Sequence, residues 1–110
     1  MPFNLKKDKL TIAQIIIHQI NSLDKWALSA YGSTKFYSVQ ESSEFQGGLT
    51  FKVNGLYHKG QVSILLKWSD VYVVRFSKNG VILKENDEVY CDMLIEVLDY
   101  IEFGEKWITY

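Results

Sequence analysis

The chain has 110 residues, 47% of them hydrophobic and 23% charged, with a formal net charge of −1 and a single proline at position 2. That length fits one domain, 1–110, with a core of its own, and the composition excludes a low-complexity or disordered chain beyond residues 1–8, which are expected to be flexible. One cysteine, Cys91, excludes an internal disulfide and a metal site built on paired thiols.

The lysines before the apolar run at 12–17 superficially resemble a signal peptide. Gln14, His18 and Gln19 interrupt the run, however, and no small-residue cleavage site follows. Nor is there a run of 18 apolar residues, so no membrane span and a cytoplasmic protein are expected.

Thr11 with Gln14 three residues on is a capping-box signature for a helix over 11–23. Ile12, Ile15, Ile16, Ile20 and Leu23 share one face of it. Alternation then predicts strands at Lys25–Tyr31 and Lys35–Gln40, joined through Gly32–Thr34 as a hairpin. Leu49, Phe51 and Val53 mark a half-buried strand, and Gly47-Gly48 before it suggests a bulge or a close backbone approach. Asn54-Gly55 and Asn79-Gly80 are hairpin turns, flanking strands at Gln61–Trp68, Val71–Ser77 and Val81–Leu83.

The stretch Asn86–Phe103 repeats apolar residues at Val89, Met93, Val97 and Ile101 and again at Tyr90, Leu94 and Leu98, the spacing of a helix face. Trp107–Tyr110 has strand-like character. The reading is an α+β domain: an N-terminal helix, a meander of five to six short antiparallel strands and a C-terminal amphipathic acidic helix. Both helices are expected on one face of the sheet.

Catalytic chemistry finds no constellation, and no cofactor or metal is expected. His18 has no ligand-competent residue three or four positions on, and His58 has no local carboxylate. Both read as structural or loop histidines, and Cys91 as a small packed hydrophobe. No phosphate-binding glycine loop or calcium-loop spacing occurs.

The charge distribution is more informative. Residues 1–84 carry eleven Lys/Arg against five Asp/Glu, whereas 85–105 carry eight acids and no base. Glu88, Asp92, Glu96 and Asp99 step by four, four and three, so on one helix they would form an acidic row. Such a row either answers the chain's own cations and confers solubility or docks a protein partner with a basic surface. Cations beside rings offer an alternative: Lys35, Tyr37, Tyr57, Lys59, Lys67 and Trp68 could bind single-stranded nucleic acid on the sheet. Neighbours in a strand point to opposite faces, so the same pattern also arises from rings turned inward and charges outward. A small self-associating structural protein, a homodimer among its forms, stays open through the tail Trp107–Tyr110.

Three segments carry a family likeness: Ser29–Phe36, Ile64–Phe76 with its Asp70, Tyr72 and Phe76, and Val89–Leu94. In these the chain resembles small uncharacterised accessory proteins of bacterial phages, plasmids and conjugative elements. The resemblance implies a non-catalytic mobile-element protein. Some proteins of that kind inhibit host defence nucleases, so an anti-CRISPR-like inhibitor of a nucleic-acid-binding host protein is the leading expectation.

Overall fold

The computed structural model describes residues 11–104. The first helix, α1 (Ile12–Leu23), starts as its sequence predicts. The Thr11 amide donates to the Gln14 side-chain oxygen at 2.9 Å, and the Gln14 amide donates to the Thr11 hydroxyl at 3.1 Å. This reciprocal pair satisfies donors that the first helical turn leaves free. Ala13, Ile16 and Ile20 are buried along one stripe.

Where alternation predicts a strand at Lys25–Tyr31, the chain instead forms a second short helix, α2 (Ala27–Ala30). Asp24 is the cause. Its carboxylate accepts from the Trp26 amide at 3.0 Å and its carbonyl from the Ala27 amide at 3.1 Å, turning the chain back into helical geometry. Ala27 and Tyr31 are buried four residues apart, and Ala-Leu-Ser-Ala favours a helix over a strand. A run this short fits both periods. The expected hairpin at Gly32–Thr34 is therefore a helix-to-strand link.

Five antiparallel strands follow as a meander in the order β1 (Thr34–Val39), β2 (Phe45–Asn54), β3 (Lys59–Lys67), β4 (Tyr72–Lys78) and β5 (Val81–Val89). Leu49 pairs with Ile64 and Ile64 with Val74; one step along, Phe51 pairs with Val62 and Val62 with Phe76. These side chains form one buried cluster with Ile16 and Ile20 of α1 and with Leu94, Leu98 and Ile101 near the C-terminal end. The alternate positions Thr50, Ser63 and Arg75 form a half-buried polar row, with a 2.9 Å hydrogen bond between the Thr50 and Ser63 hydroxyls. The double glycine does mark a bulge, between Phe45 and Gly47. A Cβ on Gly48 would lie 2.5 Å from the Ile64 carbonyl oxygen.

The closing helix expected over Asn86–Phe103 is corrected. β5 continues through Val89, a 3-10 turn covers Cys91–Met93, and only then come α3 (Leu94–Leu98) and α4 (Tyr100–Phe103). Asn86 and Asp87 resemble a helix cap in sequence. In the fold they are strand residues held by cross-strand pairing, Val74 with Asn86 and Arg75 with Glu85. A register shift between Tyr72 and Val74 places one extra residue in β5, and Glu88 takes a left-handed φ of 54° there. No described helix is long and apolar enough to cross a membrane. The expectations for 1–8 and 107–110 lie outside the described residues.

The β2–β3 loop locks the C-terminal helices to the sheet. The Tyr57 and His58 amides both donate to the Ile101 carbonyl, each at 3.0 Å. His58 is buried, its Nε2 donating to the Gln61 carbonyl at 3.2 Å and its ring edge-on to Phe76. It is a structural residue of this lock. Gly55 permits the approach, because a Cβ there would stand 2.3 Å from Ile101 Cγ2 and 2.4 Å from its carbonyl oxygen. Gly55→Ala is therefore expected to cost about 1–3 kcal/mol through overpacking, read as a lowered denaturation midpoint with an unchanged urea m-value.

Candidate interaction groove

Two adjoining hollows lie between α1 and the strand exit that follows β5. One, of about 260 Å³, is bounded by Ile15 and Gln19 of α1, by Leu66, Asp70 and Tyr72 around the β3–β4 turn, and by Tyr90 and Cys91. The other, of about 200 Å³, continues past Gln19 and Cys91 to Ser22, Leu23 and Asp92. Gln19 and Cys91 border both, so the two form one groove. α1 supplies its wall because Ile15, Gln19 and Ser22 recur at helical spacing beside the stripe that enters the core.

The Tyr72 hydroxyl donates to the Gln19 side-chain oxygen and fixes the groove floor. Burial, with a smaller push from neighbouring Cys91, moves the Tyr72 phenol up to about 12 despite that bond. The Cys91 thiol is exposed, not packed as its sequence context suggests, because it sits in the 3-10 turn after β5. Asp70 stands at one end in a left-handed turn conformation, its carboxylate accepting from the Gln46 amide nitrogen at 2.8 Å. Asp92 stands at the other end, exposed. No lysine or arginine lines either hollow. The groove is thus apolar in its walls, with carboxylates at both ends.

No family model, curated protein or solved structure matches the chain.

The predicted acidic row is not one row. Glu88 belongs to β5, where its amide donates to the Asp87 carboxylate; Asp92 lies in the 3-10 turn and Glu96 in α3. Asp99 is the half-buried junction between α3 and α4 and accepts from the Tyr31 hydroxyl at 3.3 Å. That contact, behind burial itself, helps push the Tyr31 phenol strongly upward. Of the four acids, Asp92 alone borders the groove.

The basic and aromatic residues do not gather either. Lys35 is exposed at a β1 bulge with φ 54°, and Tyr37 is exposed on β1. Tyr57 packs edge-on to Tyr100, and the Lys59 ammonium donates to the Gly55 carbonyl at 3.0 Å. Lys67 pairs with Asp87 at 3.2 Å, and the Trp68 indole donates to the Ser42 carbonyl at 3.1 Å. Asp87 is held below the usual carboxylate range, first by the Glu88 amide and then by Lys67. Among the described residues no three His, Cys, Asp or Glu side chains gather to hold a metal ion.

Sequence reasoning missed Gln19, Asp70 and Tyr90 as groove residues. The nearest signal is the exposed side of α1, which becomes a wall only once β5 and the β3–β4 turn are placed.

Two outcomes test this description. Asp99→Ala should cost about 1 kcal/mol, whereas Glu96→Ala should stay within about 0.5 kcal/mol of the parent in the same denaturant titration. Stability should also fall as pH rises from about 10 toward 12. The unfolded phenols ionise near 10, while folded Tyr72 keeps its proton until about 12, so the unfolded state binds fewer protons across that window. Tyr31 acts with the same sign. Thermal midpoints measured through this range should decline, and Tyr72→Phe should make the decline shallower.

Proposed function

We propose that this protein works by binding rather than by catalysis, and that it holds a basic protein segment in the groove between α1 and the strand exit. The observation that carries this reading is the pairing of apolar walls with carboxylates at both ends and no lining cation. A ligand that fits presents an apolar side chain flanked by Lys or Arg. The walls would supply most of the affinity, and the acids orientation and encounter rate. Leu23 and Tyr90, which line the groove, are also partly exposed and enlarge its apolar surface, and exposed Glu88 adds to its negative field.

In the same reading both helical regions cover one face of the sheet. The partner then meets helix α1 and the loop edge rather than the sheet face. A nucleic-acid-binding protein offers such basic segments, so an inhibitor of one, supplied by a mobile element, belongs to this class of function. The carboxylates of this proposed docking site are Asp92 and Asp70, in place of the row Glu88, Asp92, Glu96 and Asp99.

The test is a titration of the isotope-labelled protein with a short Lys/Leu peptide, beside a Glu/Leu peptide of the same length. Amide shifts should map to Gln19, Leu23, Cys91 and Asp92, weaken with added salt, and be reduced by Asp92→Lys. Equal binding of the acidic peptide, or shifts confined to other surfaces, would sink the reading.

A further inference from the structure

A second concavity lies at the other end of the sheet and shares no lining residue with the groove. It measures about 390 Å³ and is lined by Lys52 of β2, Lys59 and Gln61 of β3, Lys78 of β4 and the Asn79-Gly80 turn. The sheet register brings the strand ends that carry these lysines together. Lys52 pairs with Gln61 and Gln61 with Ser77, the residue before Lys78; Lys59 lies two residues from Gln61 on the same strand. Neighbouring strands are ~4.8 Å apart, so the backbones of the outer two of three strands stand ~10 Å apart on either side of Gln61.

Asn79 and Gly80 both have positive φ, 53° and 82°, which folds the β4–β5 hairpin tightly and closes one side of the concavity. No carboxylate lines it. Lys52 and Lys78 have no acidic partner among the described residues, in contrast to Lys67 and Arg75, whose charges are answered by Asp87 and Glu85. Lys59 uses one of its three donors on the Gly55 carbonyl and keeps two.

Three lysines lining one concavity that no carboxylate lines favour an anion with several charges. We propose that this concavity binds a phosphate-bearing polyanion. Its three lysines come from three different strands. Two or three linked phosphates span them, with Gln61 donating from the floor. Three of the eleven basic residues in the chain's first 84 line this one concavity. The inference does not rest on the groove reading, and either can fail alone.

Pyrophosphate and a fluorescein-labelled thymidine oligonucleotide are the two probes, each titrated at low salt into the labelled full chain. Both should be read by amide shifts at Lys52, Gln61 and Lys78, and the oligonucleotide also by anisotropy. Lys52→Glu and Lys78→Glu, each exposed and each changing net charge equally, should weaken binding about tenfold. Lys25→Glu, the same charge change beside Trp26, should leave it nearly unaltered. Saturable pyrophosphate binding unmatched by the oligonucleotide supports a small phosphorylated ligand, and tighter, steeply salt-dependent oligonucleotide binding supports a strand backbone. Absence of site-specific shifts with both probes overturns the proposal, as does equal weakening by Lys25→Glu. Thermal midpoints of the three variants separate lost binding from lost fold.

Discussion

The register between β2, β3 and β4 is the constraint on which the other features depend. Leu49, Ile64 and Val74 face one another, as do Phe51, Val62 and Phe76, and all six are essentially without solvent exposure. A slip of one residue would turn every one of them to the opposite face and bring Thr50, Ser63 and Arg75 into the core. Burying those polar groups without new partners would cost several kcal/mol in total, about 1–3 kcal/mol for each. Gly48 further fixes the alignment, because only a residue lacking Cβ tolerates the Ile64 carbonyl at that distance. Once the register is set, Lys52, Gln61 and Ser77 must stand in line, and so must the β3–β4 turn that carries Asp70.

The edge strand β5 shows how local preference gives way to pairing. Its second half reads Lys-Glu-Asn-Asp-Glu-Val, poor in strand-forming residues. Pairing with β4 holds it, supported by Arg75 with Glu85 at 2.8 Å and Lys67 with Asp87 at 3.2 Å. Partly exposed pairs of this kind contribute about 0–1 kcal/mol each, so they bias the segment rather than hold it alone. Burial of Val89 beyond the bulge supplies an apolar anchor at its far end. Charges and a bulge on an edge strand also discourage pairing with a further chain. That protection covers the acidic half and leaves Val81, Ile82 and Leu83 exposed at the other.

Much of the fold was legible in the sequence, and the reasons are particular. The Thr11–Gln14 box, the alternation through Leu49–Val53 and the Asn79-Gly80 turn are local signals that the tertiary structure reinforces. The Asn86–Phe103 stretch was misread because Val89, Met93, Val97 and Ile101 share a four-residue spacing although Val89 is buried from a strand. Periodicity cannot report that change of element within one repeat. Ala27–Ala30 failed for a related reason, since seven alternating residues contain too few turns to separate the two periods. Both candidate surfaces were illegible as surfaces. The lysines at 52, 59 and 78 are scattered in sequence and meet only through strand pairing, while the groove joins α1 to a turn and an exit more than 40 residues away.

Charge asymmetry along the chain therefore became asymmetry in space, but not by sequence order. Two acids of the C-terminal excess, Glu85 and Asp87, are consumed by cations of the sheet, and Asp99 is engaged by Tyr31. Asp92 joins Asp70, which comes from the net-positive part of the chain, to give the groove its sign. Lys67 and Arg75 are taken up in ion pairs, whereas Lys52, Lys59 and Lys78 line a separate concavity that no carboxylate lines. Opposite fields at separate sites screen one another only weakly across more than a Debye length, about 8 Å at physiological ionic strength. On the two proposals each site would select its own ligand: the groove by apolar contact with acidic guidance, the lysine concavity almost wholly by charge. Salt should thus separate them, because a contact that rests on buried apolar surface retains affinity where one that rests on exposed ammonium groups does not.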